Sequence, residues 1–225
     1  MADGSAPAAI RVRVWDVPTR LVHWLMAAFI ATSWWTAETG RLEYHRYSGY
    51  VLLGLLIFRI YWGLVGSSSA RFAKFVKGPR AIVDYLRGET APSLGHNPLG
   101  ALSVIALLLL VLTQIALGLF AVDVDGLESG PLSHLVSFEA GRTCAKLHDF
   151  VFDVLLWLIV LHVAAVLFYV IFKKQNLIAA MLHGERTYSQ PPASSVTFAS
   201  ATRLIVGVAL AAILTWLVAR GFELV

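Results

Sequence analysis

Four of the chain's seven histidines sit in or at the ends of long apolar stretches. An ionisable ring is costly there and marks a functional site or a bound cofactor. His148 and His162 are 14 residues apart. On an α-helix that spacing is four turns less about 40°, with a rise of about 21 Å, so both rings share one face and reach opposite leaflets. His45 falls at the depth of His148, and His23 at the depth of His162, which gives two pairs stacked across a bilayer. Two neutral imidazoles offered from different helices fill both axial positions of a haem iron. No ligand position then stays open, which suits electron transfer rather than oxygen binding. Zinc or another metal could use the same side chains, but the two pairs are too far apart for one site. Singly, His23 and His45 also read as interfacial histidines near helix ends; the matching of all four by depth is what points to haem.

Arg59 lies 14 residues after His45, on the same face of its helix and at the depth of the inner pair. A cation is needed there to meet the propionates of an inner haem. Gly49, Gly54, Gly63 and Gly118 would leave room for a flat macrocycle, and close helix–helix packing explains them equally well. His96, His134 and His183 fall in loops and read as structural or solvated, with a role near the inner haem, at a quinone pocket, as the alternative for the His96 segment. In Gly95–His96–Asn97–Pro98, Asn97 reads as a helix N-cap and Pro98 as the first helical residue.

These side chains need membrane helices to hold them. The 225 residues are 58% hydrophobic and 14% charged, against about 25% charged in an ordinary soluble domain. A water-soluble globule could not cover itself with so little polar surface, and disorder is excluded on the same ground. The single cysteine, Cys144, excludes an intrachain disulfide, cysteine-ligated iron–sulfur clusters and CxxCH haem attachment. Five apolar stretches, Leu21–Ala37, Tyr47–Gly66, Leu99–Val122, Phe150–Phe172 and Leu204–Val218, are expected to span the membrane. On this reading His45 opens the second helix and His148 opens the fourth. The fold class is thus all-α integral membrane, an up-and-down four-helix haem-binding bundle plus a fifth C-terminal transmembrane helix.

The net charge of +4 reads as an orientation signal rather than a nucleic-acid signal. With the N-terminus inside, thirteen Lys and Arg fall inside, from Arg11 to Arg203, and five outside: Arg41, Arg46, Arg142, Lys146 and Arg220. The outer loops are acidic, with Glu38, Glu43, Asp123, Asp125, Glu128 and Glu139. No small-residue cleavage site follows the first apolar run, so it reads as an uncleaved helix. The basic segment 67–96, with Gly78–Pro79, Gly88 and Pro92, is expected to hold a short surface helix at Arg80–Arg87. Segment 184–198, with Pro191, Pro192 and Ser194–Ser195, reads as a linker. Residues 1–190 are therefore expected to form the haem domain, and 191–225 the linker and fifth helix.

The chain resembles the prokaryotic cytochrome b561 and nickel–iron hydrogenase b-type cytochrome family. The resemblance rests on residues 14–24 (Val14–Trp15–Asp16–Val17–Pro18–Thr19–Arg20–Leu21–Val22–His23–Trp24), on His45–Arg46–Tyr47–Ser48–Gly49–Tyr50, and on Phe58–Arg59–Ile60–Tyr61–Trp62–Gly63–Leu64–Val65–Gly66. It rests also on Gly95–His96–Asn97–Pro98, on Leu147–His148–Asp149 and on Leu161–His162–Val163. It implies a four-helix core with two haem b groups whose axial ligands are His23, His45, His148 and His162. It further implies a bacterial inner membrane, exchange with the quinone pool (ubiquinone or menaquinone), and a periplasmic redox protein such as a c-type cytochrome or hydrogenase-like subunit. Two other readings stay open: a superoxide oxidase reducing quinone, and a histidine-based transporter or anchor subunit.

Overall fold

The computed structural model describes residues 10–89, 94–124, 128–188 and 195–222. Five long helices dominate it: α1 (Val17–Glu38), α2 (Leu42–Val65), α5 (Pro98–Phe120), α6 (Phe138–Ile171) and α8 (Ala201–Ala219). Between them lie the short helices α3 (Phe72–Phe75), α4 (Pro79–Leu86) and α7 (Leu177–His183), and a 3-10 turn at Ser133–Leu135. By length and composition α2, α5, α6 and α8 can each cross a membrane. The chain is a mostly helical, multi-pass membrane protein.

Helix α1 has 22 residues and so the length, about 33 Å. It is less apolar, because Thr32, Ser33 and Thr36 interrupt it. Their hydroxyls are nonetheless satisfied inside the helix pair. Thr32 Oγ1 donates to the Ala28 carbonyl at 3.0 Å and Thr36 Oγ1 to the Thr32 carbonyl at 2.8 Å. Ser33 Oγ meets Ser48 Oγ of α2 at 2.6 Å.

The start of α1 explains the Trp–Asp–Val–Pro–Thr run. Asp16 is the N-cap, its Oδ1 accepting the Thr19 N–H at 2.8 Å, and Pro18 sits in the first turn. The other carboxylate oxygen accepts the indole N–H of the buried Trp62 at 2.9 Å, which bolts the start of α1 to the end of α2. Asn97 caps α5 as expected, accepting the Gly100 N–H at 2.7 Å.

Helix α6 differs from expectation. It begins at Phe138, so His148 lies ten residues inside it rather than at its opening. Ser137 caps it, and Glu139, Ala140, Arg142, Ala145 and Lys146 are helix-compatible residues too polar to register as a span. At 34 residues it is about 51 Å long, well beyond the roughly 30 Å hydrocarbon core. The surface helix α4 falls one residue earlier than expected at each end.

The packing follows two antiparallel hairpins, α1 against α2 and α5 against α6, with α8 lying along α2. The hairpins meet mainly where α2 touches α5. Val22, Met26, Leu52, Leu56, Phe58, Trp62, Val111 and Leu155 form the core. Two strands were not foreseen: β1 (Ile10–Arg13) pairs antiparallel with β2 (Glu185–Tyr188), Ile10 opposite Tyr188 and Arg13 opposite Glu185. The ribbon ties the N-terminal segment to the chain just past α7. Pro92, Asp125, Pro191, Pro192, Ser194 and the 190/191 boundary lie outside the described residues.

Candidate haem site

Helices α2 and α6 bring His45 and His148 together. Their ring centroids are 5.9 Å apart and their planes cross at 82°. Nδ1 of His45 is 2.8 Å from the Ser33 carbonyl of α1, and Nδ1 of His148 is 2.9 Å from the Gln114 carbonyl of α5. A carbonyl can only accept, so in both rings Nδ1 carries the hydrogen and Nε2 keeps its lone pair. This is the arrangement that prepares an imidazole to bind a metal.

Gly118 of α5 seats the His148 ring: a Cβ there would stand 3.0 Å from Cε1 and 3.2 Å from Nδ1. A Cβ on Gly49, one turn from His45, would meet nothing within 4 Å. Gly54 and Gly63 serve packing instead, since their Cβ positions run into Thr215 of α8 and the Phe72 ring. The expected room for a flat group thus rests on Gly49, while Gly118 makes room for the His148 ring itself.

The second pair lies at the other end of the bundle. His23 stands nearly two turns into α1 and His162 in the later half of α6, at the end of the bundle where α5 begins. Nδ1 of His162 is 3.2 Å from Ser103 Oγ of α5, while Nδ1 of His23 is buried without a hydrogen-bond partner. Arg59, also at this end, is buried, its guanidinium 4.9 Å from the centre of the Phe72 ring. Its guanidinium also makes a long contact, 3.5 Å, with the Ala70 carbonyl. Among the described residues no three His, Cys, Asp or Glu side chains gather as a lone metal ion would need. Paired histidines, a glycine seat and a buried cation fit a haem better than a bare ion.

His96 is more embedded than a loop histidine is expected to be. Its ring packs 4.6 Å from both Trp15 and Phe75. Burial, then the nearby Arg59 charge, holds its pKa down to about 3, so it is neutral at pH 7. His134 and His183 are exposed, but they lie in the 3-10 turn and at the end of α7 rather than in loops. Sequence reasoning missed Ser33 and Gln114, which act through backbone carbonyls that no side-chain pattern reports. It also missed a hydroxyl cluster in which Asn97 Nδ2 donates to Tyr85 at 3.0 Å and to Tyr169 at 3.1 Å.

A multi-pass helical bundle that brings histidines from different helices face to face is what a membrane cytochrome of the b type requires. Comparison with protein families matches residues 14–184, well over half of the chain, to the prokaryotic cytochrome b561 family. The chain belongs to that family, whose members bind haem b and carry electrons in membranes. Comparisons with curated proteins and with solved structures give no match.

Proposed function

We propose that the protein conducts electrons across a bacterial inner membrane through two b haems, between a periplasmic redox protein and the quinone pool. His45 and His148 would hold the outer haem, and His23 and His162 the inner one. The observation that carries this reading is the His45–His148 ring contact at one end of the bundle, with His23 and His162 at the other, in a chain of this family.

The haems, when bound, supply one-electron chemistry. The chain supplies the rest. The Ser33 and Gln114 carbonyls fix two imidazoles with Nε2 forward. Two histidines of the chain would hold each haem, which would then supply electron transfer rather than oxygen binding. Arg59, buried at the end with His23 and His162, would meet a propionate of the inner haem and relieve the cost of its own burial.

Helix α1 is the first of five spans on this reading, because it packs along α2 and the turn between them is short. Trp34, Trp35, Tyr44 and Tyr47 are exposed where the two helices meet, as an aromatic belt would be. The basic tail and the basic α2–α5 loop favour a cytoplasmic N-terminus. Glu38, Glu43, Asp123, Glu128 and Glu139 then face the periplasm and favour a partner with a basic surface over superoxide, an anion. Residues 1–190 carry the haems on this account, and 191–225 contribute the linker and α8.

The test is electron entry from each side of a reconstituted bilayer. Quinol in the membrane should reduce both haems, and a soluble acceptor added outside should reoxidise them. Haems that quinol cannot reduce would remove quinone from the account, and reduction by superoxide near the diffusion limit would replace the protein partner.

A further inference from the structure

We propose that the loop between α2 and α5 docks on anionic phospholipid headgroups, with α4 lying in the plane of the bilayer interface. The proposal rests on the membrane assignment alone and requires neither haem. At 100° per residue, Pro79, Ile82, Val83 and Leu86 fall on one arc of α4. Arg80 and Arg87 border that arc, with Asp84 beyond them, while Tyr85 lies on the opposite flank.

Leu86 is 67% exposed and Val83 43%, and Val76 just before the helix is 44% exposed. Lys74, Lys77, Arg80 and Arg87 are exposed around them, against the acids Asp84 and Glu89. An apolar strip edged by cations is the pattern of a helix that lies on an anionic membrane surface.

Two attachments set its depth. The α2–α5 loop begins and ends at the same end of two spanning helices, so α4 sits at headgroup level. Tyr85 shares a hydrogen bond with Tyr169 near the end of α6 and accepts another from Asn97, the cap of α5. The helix is therefore held against the bundle by its Tyr85 flank, and its apolar strip is left for the lipid. An acidic soluble protein would answer the charge but not the depth.

The test uses the full-length, haem-loaded protein with Cys144→Ser and a bimane label at Leu86→Cys, or at Val83→Cys should the first fail to fold. In nanodiscs of phosphatidylcholine and phosphatidylglycerol, nitroxide-bearing lipid should quench the label and aqueous iodide should not. Phosphatidylglycerol retained in native mass spectra should fall about fivefold for each of Lys77→Gln and Arg80→Gln, the equivalent of about 1 kcal/mol per cation at an anionic surface. The haem spectrum should not change. Quenching by iodide alone, or retention unaffected by both substitutions, would overturn the proposal, and iodide quenching would leave an acidic protein as the occupant.

Discussion

The imidazoles of His45 and His148, from helices α2 and α6, lie 5.9 Å apart at 82° to one another, each anchored at Nδ1 by a different helix's backbone carbonyl. Four helices thus determine one pair of rings. His148→Ala should lose the outer haem chiefly, halving the haem bound per chain. His162→Ala should lose the inner one, because its depth partner is His23. Redox titration of each variant should show one of two transitions missing, and a different one in each.

Gly118 gives a more selective probe, because it touches the His148 ring without being a ligand. A Cβ at 3.0 Å forces the ring to give way, and a branched side chain forces it further. Overpacking of this kind costs about 1–3 kcal/mol. Gly118→Val should weaken outer haem retention while the inner haem stays bound; equal loss of both would mean that the glycine serves helix packing alone.

The buried Arg59 charge should raise the potential of the inner haem, since a cation favours the electron-rich reduced form. Arg59→Gln should lower that midpoint by about 60 mV, a tenfold change for a one-electron couple. Arg59→Lys should lie between the two. A midpoint unchanged in Arg59→Gln would remove Arg59 from the haem's surroundings.

Burial, then the hydrogen bond with Tyr169, pushes the Tyr85 pKa up from 10.0 to about 12. A raised folded-state value means that the protonated phenol stabilises the fold. That contribution is complete below pH 10 and lost as pH rises through about 12. Thermal unfolding midpoints should fall across this window in the wild-type protein and fall less steeply in Tyr85→Phe.

Much of this architecture was readable from residue types, and the shortfalls have physical causes. The apolar runs marked α2, α5 and α8 within a few residues, because lipid demands unbroken hydrophobicity. The first ten residues of α6 escaped because a helix above the membrane is polar, and its sign was the Ser137 cap rather than hydropathy. The β1–β2 ribbon escaped because two four-residue strands so far apart in sequence leave no local signal. Depth matching brought out the histidine pairs, whereas their Ser33 and Gln114 anchors are backbone atoms. Gly54 and Gly118 look alike in sequence, and their neighbours separate them: Thr215 of α8 for one, the His148 ring for the other.

Haem content tests the central claim most directly. Purified full-length protein, assayed by reduced-minus-oxidised absorbance against protein concentration, should carry two haem b per chain with a low-spin b-type α band. A folded, active preparation with one haem or none would contradict it.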